Sequence, residues 1–107
     1  MTSSQDILDH ISEYAQEMGL EITTIKEEGH DNIIKIGKKS HEIFLTNRIL
    51  KTLYKQKYVR TRRYRLVLRL RHHGLLGKKL YDTPYMCDYT LIKNEVEEAL
   101  LIILKYQ

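Results

Sequence analysis

The sequence is short of the features that mark secreted and membrane-bound chains. It has one cysteine, Cys87, which cannot form an internal disulfide, so the chain reads as an intracellular, cytoplasmic protein. The opening MTSSQDILDH is polar and acidic and lacks the basic and apolar regions of a secretory leader. The longest apolar run, ALLIIL at 99–104, falls far below the roughly twenty residues that cross a bilayer, and no membrane association is expected. Breakers are scarce too. Pro84 and five glycines in 107 residues leave little room for long linkers, and no repeat or low-complexity tract is found. A chain of this length buries roughly 65% of its unfolded surface. That is enough for one domain, 1–107, whose core needs no metal or disulfide.

Acid is also missing from one long stretch. Between Glu42 and Asp82 there are twelve lysines and arginines and no aspartate or glutamate. Residues 1–31 carry eight acids and one base, a net −7; residues 32–81 carry fifteen bases and one acid, +14; residues 82–107 carry five acids and two bases, −3. Together these give the +4 of the whole chain. So dense a field of one sign is usually directed at an anionic partner. The competing reading is that the acidic first segment neutralises it within the fold.

The apolar pattern predicts an α+β fold. Ile7, Leu8, Ile11, Tyr14, Ala15 and Met18 share one helical face, with N-cap candidates at Thr2, Ser3 and Ser4 and a stop at Gly19. EEGHDN and GKKS divide the next segment into strands near 21–27, 32–37 and 41–45. Ile49, Leu50, Leu53, Tyr54 and Tyr58 keep helical spacing and predict a helix over 47–58, with Arg48, Lys51 and Lys55 pointing away. Residues 63–72 alternate and predict a strand. HHGLLGKK reads as a turn or loop, and KLYDTPYMCDY as one further extended piece. Ile92, Val96, Ala99, Leu100, Ile103 and Leu104 predict a helix over 90–106, capped by Asp88 or Thr90. The expected order is α-β-β-β-α-β-(β)-α: about three helices on a mostly antiparallel sheet of four to five strands. Over 3–58 that order is similar to the element order of a double-stranded-RNA-binding domain, without that domain's basic loop-to-helix signature. The last turns of the final helix, with Leu101 and Ile102, are apolar nearly all round, which suits either deep burial or a homodimer.

The strand at 63–72 carries the functional signal. Tyr64, Leu66, Leu68, Leu70 and His72 fall on one face, and Arg63, Arg65, Val67, Arg69 and Arg71 on the other. Arginines on alternate positions stand about 6.6–6.8 Å apart, a pitch comparable to that of successive phosphates. Guanidinium groups bind phosphate through paired donors. The candidate nucleic-acid contacts are therefore Arg60, Arg62, Arg63, Arg65, Arg69 and Arg71, extended by Lys51 and Lys55 before the strand and Lys78 and Lys79 after it. Tyr58, Tyr64, Tyr81, Tyr85 and Tyr89 could stack on unpaired bases, although Tyr64 lies on the apolar face and suits the core. The expected function is a small basic protein that binds RNA or DNA.

Two other readings compete. The same surface could bind an acidic protein, as an inhibitor or regulator does; a viral or mobile-element factor acting on a host nucleoprotein is one form. Alternatively, His72 or His73 beside Arg69 and Arg71 could serve a small ribonuclease. Glu42, Asp82 and Asp88 could hold a divalent cation, but nothing fixes their spacing. His30 and Asp31 fall in an expected hairpin loop, and Cys87 reads as a small buried hydrophobe. Walker A, GxGxxG, GxSxG and zinc-ligand spacings are all missing. No catalytic residue, metal or cofactor is assigned. A plain structural role also stands: arginines on an edge strand deter sheet-to-sheet aggregation.

Overall fold

The computed structural model describes residues 2–72 and 74–107, and for His72 and Leu76 the backbone alone. Helix α1 (Ser4–Glu17) precedes five strands, β1 (Ile22–Glu28), β2 (Asp31–Ile36), β3 (His41–Tyr54), β4 (Lys57–His72) and β5 (Leu75–Asp82), and helix α2 (Tyr89–Lys105) follows. The strands form one sheet in chain order β1-β2-β3-β4-β5, every neighbour antiparallel. The α+β class and the antiparallel sheet agree with the sequence reading; the order and the number of helices do not.

Both helices begin where the sequence supplies a cap. The Ser3 hydroxyl accepts from the Asp6 N–H at 3.2 Å, and the Asp6 carboxylate accepts from the Ser3 N–H at 2.9 Å. This reciprocal box satisfies two otherwise orphaned donors. The Asp88 carboxylate accepts from the N–H groups of Thr90 and Leu91. The helices lie on one face of the sheet and share one core with it. Ile7, Ile11 and Ala15 of α1 and Ile92, Val96, Leu100 and Ile103 of α2 meet Ile34, Ile43, Leu45, Tyr64, Leu66 and Leu68 of the strands. Tyr64 is 1% exposed, and its hydroxyl donates to the Thr2 carbonyl at 2.9 Å. It is therefore a core residue and not a stacking platform. In the last turns of α2, Ile102 packs against this core while Leu101 is exposed.

The predicted helix over 47–58 is not there. Those residues form the distal half of β3, the turn, and the first residues of β4. Every residue of β3 pairs with β4, from His41–Leu70 to Tyr54–Lys57. An apolar helical stripe at Ile49, Leu53 and Tyr54 would need a surface to bury against, and α1 and α2 already cover the core face. Residues 57–61, KYVRT, are rich in strand formers and offer backbone pairing instead. With that helix gone, the likeness to the element order of a double-stranded-RNA-binding domain lapses. The segment read as a turn or loop also belongs largely to β5, which starts at Leu75 directly after Gly74.

The turn between β3 and β4 explains why the hairpin is hard to see in the sequence. Lys55 and Gln56 both adopt positive φ, 48° and 64°. Two residues of this kind suit the right-handed twist of a two-residue hairpin, but Asn-Gly or Asp-Gly is the usual choice. An ordinary side chain in this region costs roughly 1–2 kcal/mol. Gln56→Gly should therefore stabilise the hairpin end by about 1 kcal/mol. Amide hydrogen exchange of residues 49–54 should slow, with little change for the core strands.

Candidate nucleic-acid interface

The two central strands outrun their neighbours. β2 covers β3 only as far as Thr46, opposite Asp31. β5 covers β4 only from Val67, opposite Asp82, with one further bridge between Tyr64 and Met86. Beyond these points residues 48–54 and 57–63 pair, among the described residues, only with each other. They form a two-stranded ribbon that leaves the body with both outer edges free. Seven residues at about 3.4 Å each give it a length of roughly 24 Å, and the whole molecule is extended, 49 × 29 × 20 Å.

The ribbon carries seven cations and no acid: Arg48, Lys51, Lys55, Lys57, Arg60, Arg62 and Arg63. Among the described residues none of them forms an ion pair. Residues paired across antiparallel strands point to the same side. Two such pairs are cation on cation, Arg48 opposite Arg63 and Lys51 opposite Arg60. Like charges directly opposite destabilise a hairpin. The Arg63 Nε is buried and, among the described residues, has no hydrogen-bond partner. Between the cations stand exposed apolar groups: Ile49, Leu53, Tyr54, Tyr58 and Val59, with Tyr58 68% exposed. The Lys51 ammonium lies 4.6 Å from the centre of the Tyr58 ring.

Where the ribbon joins the body it is tied to α1. Arg62 donates to the Asn47 side-chain oxygen, and the Asn47 amide donates to the Ser4 hydroxyl at 2.7 Å. A cleft of about 630 Å³ opens beside this chain of contacts, lined by Ser3, His30, Asn47 and Arg62 among others.

The arginine row within the body behaves differently. Arg63, Arg65, Arg69 and Arg71 do share the face turned from the helices, as the alternation predicts. There, however, the fold itself occupies three of them. Arg65 grips Asp82 with two bonds, at 2.9 and 2.6 Å, and also donates to the Thr83 carbonyl. Arg71 pairs with Glu42, which is 5% exposed, and donates to the Gly74 carbonyl. Arg69 donates to the Gly77 carbonyl. Lys79 joins Asp82 at 3.1 Å, while Lys78 is exposed on β5. On the same side of the sheet the buried Ile33 and Val67 flank Phe44 as its cross-strand partners, and arginine stems readily cover apolar surface of this kind. The acids that neutralise β4 thus come from β3 and β5. Among the described residues no acid of α1 pairs with it.

Of the ten candidate contacts, Lys51, Lys55, Arg60, Arg62 and Arg63 come together on the ribbon. Arg48 and Lys57 belong with them and were missed. Arg48 is brought beside Arg63 only by the pairing of β3 with β4, and Lys57 follows a turn with no glycine, asparagine or proline to announce it. The candidate cation ligands are dispersed in role: Glu42 and Asp82 hold arginines, and Asp88 caps α2. Among the described residues no three histidine, cysteine or acidic side chains come together as a metal site. His73 lies outside the described residues. Cys87 is exposed, contrary to the buried reading, because it sits in the loop between β5 and α2. No helix among the described residues is long and apolar enough to cross a membrane.

Three groups in the body make stability pH-dependent. His41 is buried with an unpartnered Nδ1, and its desolvation lowers its pKa from 6.5. His10, packed edge-on against Tyr14, is lowered by burial and then by Lys93. Both imidazoles bind protons more readily in the unfolded chain. Stability is therefore unaffected by them above about pH 6.5 and falls as the pH drops below it. The Arg65 pairing holds Asp82 at about 2, against 3.8. Its contribution is intact above 3.8 and is lost as the pH falls towards 2. Urea denaturation from pH 8 to 2 should show both declines, and His41→Gln should flatten the upper one.

No family model matches the chain, and no curated protein or solved structure matches it significantly.

Proposed function

We propose that this protein binds nucleic acid through the β3–β4 ribbon. The observation that carries the reading is the two pairs of facing cations, Arg48–Arg63 and Lys51–Arg60, on an arm with no acid of its own. Such an arrangement opposes folding until an anion lies against it. Protection of strand edges asks for charge on an edge, but not for cations opposed across the hairpin. Phosphate neutralisation would release counterions and make binding fall steeply with salt, and the exposed tyrosines could pack on bases. Fluorescence anisotropy with labelled single- and double-stranded RNA and DNA at low salt tests the reading. Micromolar or tighter binding to one of the four is expected; no binding to any of them would sink it.

One observation favours a second reading. Both ribbon edges are unpaired and flanked by exposed Ile49, Leu53 and Val59, so an acidic protein could add a strand there. That partner would give saturable binding at a fixed stoichiometry with no general affinity for DNA or RNA.

A further inference from the structure

We infer that the partner is duplex DNA of B form and that the ribbon enters its major groove, a conclusion that rests on the ribbon being a nucleic-acid arm. The distribution of charge between its two faces points there. Tyr64 and Leu66 point to the helices, so by alternation Lys51, Arg60 and Arg62 take the helix side. Arg48, Arg63 and Lys57 take the other side, and Lys55 stands at the tip. A protein surface laid along one single strand needs cations on one face. An arm lying between two phosphate walls needs them on both, and here they divide three and three.

Size selects among the grooves. Packed sheets stand about 10 Å apart, so a sheet with its side chains is about that thick. The B-DNA major groove is about 12 Å wide and admits a two-stranded ribbon, whereas the minor groove is about 6 Å wide. The major groove of duplex RNA is deep and narrow, and its minor groove is shallow; neither encloses an arm on both sides. Free ribbon edges, with no third strand on either side, leave the way in unobstructed.

The test separates the two faces. Lys51→Gln, Arg60→Gln and Arg62→Gln form one triple variant, and Arg48→Gln, Lys57→Gln and Arg63→Gln the other. Glutamine removes charge without introducing repulsion, each triple removes one facing cation pair, and no ribbon residue belongs to the buried core, so neither should melt appreciably below the parent. Each is titrated into labelled duplex DNA, duplex RNA and single-stranded DNA, with dimethyl sulfate protection of guanine N7 read on the duplex. The expected result is a preference for duplex DNA, major-groove protection, and loss of affinity by at least about tenfold for both triples. Each triple should also lower the salt slope by about 3. A preference for RNA or single strands, unprotected N7, or a loss confined to one triple would overturn the groove and leave the nucleic-acid reading standing. If the parent binds none of the three, the nucleic-acid reading itself fails.

Discussion

Replacing residues 48–63 by Thr-Asn-Gly-Thr should abolish nucleic-acid binding and leave the body folded. Asn47 and Tyr64 are cross-strand partners whose N–H groups point outward to His30 and Met86, so one further threonine pair supplies the hydrogen-bonded rung that a two-residue turn closes, and Asn-Gly is the preferred pair for that turn. The excised residues contribute nothing to the buried core, which ends at Leu45 on β3 and Tyr64 on β4. The loss of one local contact, between Arg62 and Asn47, is the main cost to the body. The melting temperature should change by no more than a few degrees, and affinity should fall by about a hundredfold or more as the seven cations proposed to meet phosphates leave. Far-UV circular dichroism and anisotropy on the same preparation give both answers. A folded body that still binds at full strength would move the interface to the sheet face.

The second large effect concerns the sheet face itself. Arg71→Met should lower the melting temperature by roughly 10 °C, more than the double variant Arg71→Met/Glu42→Met. Removing the arginine alone leaves the Glu42 carboxylate buried on β3 without its cation, and that is the costly way to break such a pair. Replacing both groups removes the stranded charge and puts two apolar side chains in place of the pair. Neither variant should weaken nucleic-acid binding, because Arg71 is committed to Glu42 and Gly74. Thermal melts of the two singles and the double make the cycle. A double variant destabilised by the sum of the two singles would show that the pairing has no energetic weight.

Much of this architecture is written plainly in the chain. Ser3, Asp6 and Gly19 bound α1, Asp88 starts α2, and the alternation from Tyr64 to Arg71 assigns the two faces of β4. The hairpin tip is not written so plainly. Ile49, Leu50, Leu53 and Tyr54 keep helical spacing, whereas on a strand they divide two and two between the faces, and only pairing with β4 overrides the helical pattern. The turn residues Lys55 and Gln56 carry no turn signature, since their left-handed conformation is imposed by the fourteen-residue pairing of β3 and β4. The candidate site was legible as a dense charge and misplaced in space for the same reason. Arg65, Arg69 and Arg71 look like the centre of a phosphate-binding row in one dimension. Glu42, Asp82 and the Gly77 carbonyl, distant in sequence, occupy them in three. Arg48 and Lys57 become part of the site only once the hairpin folds them beside Arg63 and the tip.

The most direct measurement is the salt dependence of the dissociation constant for a short DNA duplex, taken by anisotropy for the parent and the ribbon-excised protein. If the seven ribbon cations meet phosphates, the logarithm of affinity should fall against the logarithm of salt with a slope of about −6, and the excised protein should bind too weakly to define one. A slope near zero for the parent, or the same slope with and without the ribbon, would contradict the account.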